Sequence, residues 1–554
     1  MSPQPTRLAH LYAPALERHP DAVALSDETG PLSYREFDQL CRRTAGWLAA
    51  QGVRPGDKVA VWLPNRREWL ALLFGLARLG ATLVSINVRY RSAELQYILS
   101  RSGASMLIMQ PSFRKIDFPA VLKDVEPDTL PALRTIALVD AEDAASTVMP
   151  GRATVACTPG TAAEHTGGDA EAPTRPVILF TTSGTTKGPK LVMHSATTLL
   201  AHTRRVATHF GLTEPDTRLL AALPLCGVFG LNSVLGALHA GAPIVMMDLF
   251  EAGRTARLLR DERITHMYGS DEMLRRIHAE VEGERPFPHI RVFGFAAFHP
   301  GSVELAAKLE RCGFPMSGLY GSSEVQALFS IQDPGLPVAE RALGGGQPAA
   351  GVQAHVRIRD QQTGVLCENG MHGEIEIRAP GNFIGYLDNP EATADALTTD
   401  GYFRTGDMGY VRGDGSLVYL ARIGDALRLG GFLVDPAEIE FALTSQPGVH
   451  DAQVVGITLD GQPRAVAFVI AEAATPDSAH SRHQDRSRNT QAGQDIQAQA
   501  LLDTLRATLA PFKVPARLWI VDAFPVTSSA NGEKIQRARL RQMAEERLQQ
   551  ETPA

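Results

Sequence analysis

Five hydroxyl side chains fall within six residues at Thr181, Thr182, Ser183, Thr185 and Thr186, with Gly184 among them and Lys190 just beyond. They belong to Phe180–Lys190, FTTSGTTKGPK, which follows the apolar run Pro176–Phe180 (PVILF). That run reads as a buried strand. Glycines let the backbone turn tightly and aim N–H groups at an anion, hydroxyls donate further hydrogen bonds, and lysine neutralises charge. This is the chemistry of a polyphosphate grip, although no G-x-x-x-x-G-K-[ST] loop occurs. A solvated Thr/Ser/Gly turn has the same composition, and on composition alone the two readings stand level.

Other reactive types lie far downstream. LYGSSEVQ (Leu319–Gln326) sets an aromatic ring, a hydroxyl and a carboxylate together at Tyr320, Ser323 and Glu324. A ring can pack on adenine, a hydroxyl can bind a phosphate oxygen, and a carboxylate is a hard ligand suited to Mg²⁺. In GYFRTGDMGY (Gly401–Tyr410), Asp407 could accept two hydrogen bonds from vicinal hydroxyls. In NGEKIQRARLRQ (Asn531–Gln542), Lys534 follows a glycine turn, as a delivered charge would. Singly, each such residue is more often merely solvated.

Taken in order, the motifs resemble those of the adenylate-forming (AMP-binding) superfamily, which holds acyl-CoA synthetases, aryl-CoA ligases, luciferases and peptide-synthetase adenylation domains. S-G-T-T-x-G-P-K resembles its phosphate loop, LYGSSE its Tyr-Gly-x-Thr-Glu motif with Ser323 for threonine, and RTGD its Thr-Gly-Asp motif. GATLVSINVRYRSAELQYIL and GEIEIRAPGNFIGYLDNPEAT resemble the acyl-CoA synthetase branch. The resemblance implies adenine against Tyr320, phosphate at Ser323, metal at Glu324, ribose at Asp407, and ribose or phosphate oxygens at Arg422. It implies a hinge at Asp425, thiol approach at Gly430–Gly431, and catalytic use of Lys534 in the first half-reaction only. The chain departs from the pattern twice. Cys226 and Gly227 stand where an aromatic and a histidine are usual, and VFGFAAFHPGS replaces a Gly-Gly-Ala-Pro segment. Cys226, Gly227 and Phe295, with Phe293 and Phe298, are therefore the expected acyl-pocket residues; core packing is an equal reading for each phenylalanine.

The elements that would position these groups alternate. Tyr34–Gln51, Glu68–Leu79 and Ser92–Ser100 have helical spacing, while Lys58–Leu63 and Ala81–Ile86 read as strands. An α/β sheet with helical crossovers follows. Ala141–Arg175 lacks apolar periodicity and reads as a loose surface connection. GGGQPA (Gly344–Ala349) matches a dinucleotide fingerprint, but Pro348 argues against a helix there, and the stretch to about 421 reads as a β subdomain. At 554 residues two or more domains are expected. The expected division is an N-terminal domain over 1–424 and a small mobile α+β domain over 425–554, with 473–500 too polar to order itself. Glu438 and Glu440, at a helix start after Pro436, read as structural.

Bulk composition excludes several classes. Hydrophobic content of 44% and charge of 21% are those of a soluble globular protein. A net charge of −7 gives no electrostatic reason for nucleic acid binding. The five cysteines are scattered with no CxxC pair, which points to a reducing cytoplasm, and no apolar run is long enough to span a bilayer. The expected function is an AMP-forming acid–CoA ligase using ATP, Mg²⁺ and CoA on a small carboxylic acid. A stand-alone adenylation enzyme loading a carrier protein would share every motif. A non-enzymatic binding module would not need a lysine, a carboxylate and a phosphate loop spread over half the chain.

Overall fold

The structure, a computed structural model, describes residues 6–141, 148–181, 190–281, 283, 285–296, 302–361, 363–423, 427–430, 432–434, 436–471, 490–529 and 532–551. Two compact units result. The larger holds 6–88, 95–181 and 190–423; the smaller holds 89–94 and the described residues from 427 on.

In the larger unit the expected alternation is present. Helix Tyr34–Ala50 starts at Ser33, whose side chain accepts from Glu36 N–H while Glu36 returns to Ser33 N–H, a reciprocal cap. Strands Lys58–Trp62 and Thr82–Ser85 flank helix Arg67–Arg78 and pair in parallel. They belong to an eight-stranded sheet that ends in an antiparallel corner. This corner is made by β1 (Pro176–Thr181), β2 (Leu191–Ser195) and the short strand Gly385–Tyr386. Helix α1 (Ala196–His209) leaves β2 directly.

A thirteen-stranded sheet forms the rest. Helix α2 (Val228–Ala240) follows a strand at Leu219–Ala221, and β3 (Val292–Ala296) and β4 (Met316–Ser322) lie parallel. At β5 (Gln326–Ile331) the sheet turns antiparallel. It continues through Gly345–Pro348 to β7 (Leu417–Arg422) and its neighbour β6 (Phe403–Val411). The glycine-rich GGGQP segment is thus a strand. Its glycines serve packing: a Cβ on Gly346 would lie 1.9 Å from Ile331 carbonyl atoms.

Two expectations need correction. Ala141–Arg175 is not a loose connection where it is described. Ala153–Ala156 pairs in parallel with Thr135–Leu138 as the sheet's edge strand. Glu171 is buried, its two oxygens accepting from the N–H groups of Leu8 at 2.7 Å and Ala9 at 3.1 Å. An edge strand is held by main-chain pairing on one side only, so it needs no large side chains to announce it. Likewise 490–500, placed in the expected polar insertion, belongs to helix Thr490–Thr508, whose C-terminal half buries Leu502 and Leu505. Residues 473–489 lie outside the described residues.

The smaller unit is α+β. Hairpin Val449–Leu459/Gln462–Ala471 pairs in parallel with Arg517–Ile520. Alternation gives it two apolar faces: Ala452, Val454, Ala465 and Ala467 pack with Leu502 and Leu505, while Val455, Ile457, Val466 and Phe468 pack with Leu540 and Ala544 of helix Arg537–Glu551. Glu438 accepts from Lys513 Nζ at 2.6 Å, and Glu440 accepts from Val454 N–H and Arg537, each at 2.8 Å. Both are structural contacts.

Candidate active site

The β1–β2 hairpin brackets 182–189, so Thr182, Ser183, Gly184, Thr185 and Thr186 lie outside the described residues. Thr181 ends β1 and Lys190 immediately precedes β2. Strand pairing sets Val192 opposite Tyr386, which brings the aromatic ring under the lysine. Lys190 Nζ lies 4.5 Å from the ring centre, an attraction of roughly 0.5–2 kcal/mol. The Tyr386 hydroxyl in turn donates to Glu324 Oε1 at 2.9 Å. Two residues 134 positions apart in chain order are therefore joined through one phenol.

Sequence reasoning missed Tyr386. It stands in GNFIGYLDNPEAT, which reads as strand and turn and resembles the acyl-CoA synthetase branch, but nothing local signals a residue that acts by sheet pairing.

Glu324 sits in the turn between β4 and β5. Its N–H donates to Ser322 Oγ at 3.2 Å, and its carbonyl accepts from Phe383 N–H at 2.6 Å. Ser323, beside it, is half-buried. Among the described residues no donor reaches the second carboxylate oxygen of Glu324, and no cluster of three or more His, Cys, Asp or Glu surrounds it. A half-buried carboxylate with one uncommitted oxygen fits Mg²⁺, which takes one or two carboxylates and completes its shell with water and substrate phosphates.

A second pair forms across the thirteen-stranded sheet. The Tyr320 hydroxyl donates to Asp407 Oδ2 at 2.6 Å, with both side chains buried. The Tyr320 ring lies 5.7 Å from that of Tyr419, tilted by 35°. On β6, Asp407 is directly opposite Arg422 of β7 in backbone register. The residues expected at adenine and ribose are thus neighbours.

The start of α2 is different in kind. Cys226 is half-buried and its carbonyl accepts from Ser85 Oγ at 2.8 Å. Gly227 caps α2 at an ordinary φ of −98°, and among the described residues a Cβ built on it would meet only Pro224 O, at 3.5 Å. Neither backbone nor packing requires glycine there. Gly230 contrasts sharply, because its Cβ would fall 2.2 Å from the same oxygen.

Phe293 and Phe295 correct the expectation of an acyl wall. Both are fully buried on one face of β3, packed with Leu220, Met267, Leu309 and Phe314. Strand alternation turns Gly294 to the opposite face, where a Cβ would lie 2.7 Å from the Tyr268 ring. The sequence could not say which parity faced inward. Phe298 lies outside the described residues.

In the smaller unit, Lys534 lies in strand Gly532–Ile535, paired with Thr527. Gly430 adopts φ +58°, and its Cβ would meet Phe512 Cβ at 2.9 Å. Left-handed backbone and close packing already demand glycine there, whatever approaches it. Asp425 and Gly431 lie outside the described residues.

Comparison with known proteins assigns the chain to a family. The AMP-binding enzyme family matches residues 13–387, and the AMP-binding enzyme C-terminal domain matches 438–531. The chain is 29% identical to the 3-hydroxybenzoate–CoA ligase of Aromatoleum sp. (strain CIB), over 94% of each chain. It is 28% identical to the medium-chain fatty-acid–CoA ligase of Escherichia coli K12, over 98% of this chain and 91% of that one. The fold recurs in a double mutant of o-succinylbenzoate CoA synthetase from Bacillus subtilis, at TM-score 0.78 and 24% identity, covering 96% and 97% of the two chains. Matched across both of its units, the chain belongs to the AMP-binding enzyme family.

Proposed function

We propose that this protein is an AMP-forming carboxylic acid–CoA ligase. The observation that carries the reading is the joining of Glu324 to Lys190 through Tyr386, beside the Tyr320–Asp407 pair. One carboxylate suits a metal on phosphate oxygens, one cation suits a polyphosphate, and a second carboxylate suits ribose hydroxyls. In the first half-reaction an oxygen of the substrate carboxylate attacks the α-phosphorus of ATP as the bond to pyrophosphate breaks. In the second, the CoA thiolate adds to the acyl carbonyl carbon and AMP leaves with the bonding electrons. Glu324 would hold Mg²⁺, which would supply charge neutralisation at the phosphates. Lys190 and the 181–190 loop hold the departing pyrophosphate, Asp407 orients the ribose, and Lys534 meets the charge that develops during adenylation. Such chemistry asks the protein chiefly for positioning and fixed charge.

The proposed acid is aryl or medium-chain. Room above Gly227 supports a substrate larger than acetate, and the relatives named above act on acids of those sizes. The proposed compartment is the cytoplasm; no described helix is long and apolar enough to cross a membrane. A carrier protein in place of CoA is the alternative acceptor. A panel of aryl and C2–C12 acids, offered with CoA or with a phosphopantetheinylated carrier protein, tests the proposal. Acyl-CoA with AMP in equal amounts supports it, whereas acylation of the carrier alone replaces it with the alternative.

A further inference from the structure

Non-glycine residues with positive φ inside a strand are rare, yet β5 has two, Gln326 at +67° and Leu328 at +60°. Each is strained and persists only where surrounding contacts over-determine it. Here the contacts are buried side chains. Fully buried His194, on β2, approaches the Ser323 carbonyl through Nε2 at 2.7 Å. His202, on α1, approaches the Ala327 carbonyl through Nε2, also at 2.7 Å. Gln326 donates from Nε2 to the carbonyls of Thr198 and Gly381, both at 2.9 Å, and accepts from Asn232 Nδ2 at 2.8 Å.

A carbonyl only accepts, so both histidines must carry their proton on Nε2. Burial lowers both groups to about 4 against the opposing pull of these bonds, so near neutral pH each ring holds a single proton, the one on Nε2. The strand that Lys190 immediately precedes thus carries, four residues after the lysine, the donor that meets the residue next to Glu324.

We infer that His194 and His202 are positioning residues: their Nε2–H groups lock the 323–328 backbone so that the Glu324 carboxylate is held for the metal. The inference rests on the proposed metal role of Glu324. Neither imidazole touches substrate; each acts through a carbonyl.

The amide nitrogen of glutamine can occupy the place of histidine Nε2, whereas that of asparagine falls short of it. His194→Gln therefore keeps the bond to Ser323, and His194→Asn loses it while staying polar. Free Mn²⁺ is read by electron paramagnetic resonance as it titrates the full-length protein saturated with α,β-methylene ATP. His194→Asn and Glu324→Gln should each weaken Mn²⁺ binding about tenfold or more, with His194→Gln within about threefold of the parent. Nucleotide affinity without metal should not move, which a general loss of structure would not allow. Equal losses in His194→Asn and His194→Gln, or parent-like binding by His194→Asn beside a weakened Glu324→Gln, overturns the inference alone. Parent-like binding by Glu324→Gln overturns the metal role itself, and the inference with it. Should His194→Asn fail to fold, His202→Asn against His202→Gln puts the same question at Ala327.

Discussion

The turn at 320–328 and the start of α2 at 226–230 differ in how tightly the molecule specifies them. The turn is gripped by His194, His202, Gln326 and Phe383, and its backbone is strained at two residues. The start of α2 has one glycine whose added Cβ would meet no described atom closer than Pro224 O at 3.5 Å, and a second, one turn on, that packing forbids to change. Strain maintained by buried hydrogen bonds belongs where atoms must not move. Open space at a helix start belongs where different ligands can be tolerated. On this account the chemistry of ATP is fixed by the turn and the choice of acid is left to the helix.

The largest expected effect serves the fixed side. Lys534→Ala should cut adenylation by about 10²–10³, as removal of a preorganised transition-state contact does. It should do so equally for every acid, and leave thioester formation from supplied acyl-adenylate nearly intact. Single-turnover assays of the two half-reactions decide it, and equal damage to both would remove Lys534 from the role.

Next in size is Tyr320→Phe. It deletes the hydroxyl held by Asp407 at 2.6 Å, and hydrogen bonds to charged groups are worth about 1.5–3 kcal/mol. The KM for ATP should rise by at least about tenfold with acid preference unchanged. A changed acid profile would blur the two regions into one.

The two glycines sharpen the contrast on the other side. Gly230→Ala, pressed against Pro224 O, should cost about 1–3 kcal/mol of stability, whereas Gly227→Ala should cost less than about 0.5 kcal/mol. Gly227→Trp should raise KM for the larger acids, each excluded methylene being worth about 1–3 kcal/mol, and spare ATP. Denaturant melts and an acid panel measure both, and an unchanged panel in a folded Gly227→Trp enzyme would place the acyl site elsewhere.

The last effect, one on stability alone, is in pH. His194, His202 and His266 are lowered by burial from 6.5 to about 4. The unfolded chain therefore takes up their protons first as pH falls, and their contribution, complete above about 6.5, is lost between there and about 4. Each steepens the stability curve by at most about 1.4 kcal/mol per pH unit. Urea melts across that range should show a shallower slope in His202→Gln.

Much of this was legible in the sequence because ordered motifs survive in one dimension. The strand Pro176–Thr181 and the helix Tyr34–Ala50 follow from local pattern, while Tyr320, Glu324 and Asp407 stood out by side-chain chemistry and by motifs that resemble the family's. What stayed hidden depends on pairing and parity. Tyr386 acquires its place from lying opposite Val192. Phe295 is core rather than wall because β3 presents the other parity to the helices α1 and α2. Nothing local marks His194 and His202, since the carbonyls they meet lie more than 120 positions away.

The central claim, activation of an acid through an acyl-adenylate, is tested most directly by ATP–pyrophosphate exchange without CoA. Labelled pyrophosphate should enter ATP only when a suitable aryl or medium-chain acid is present, and the exchange should vanish in Lys534→Ala. Exchange with no acid dependence, or turnover that yields ADP rather than AMP, would contradict the account.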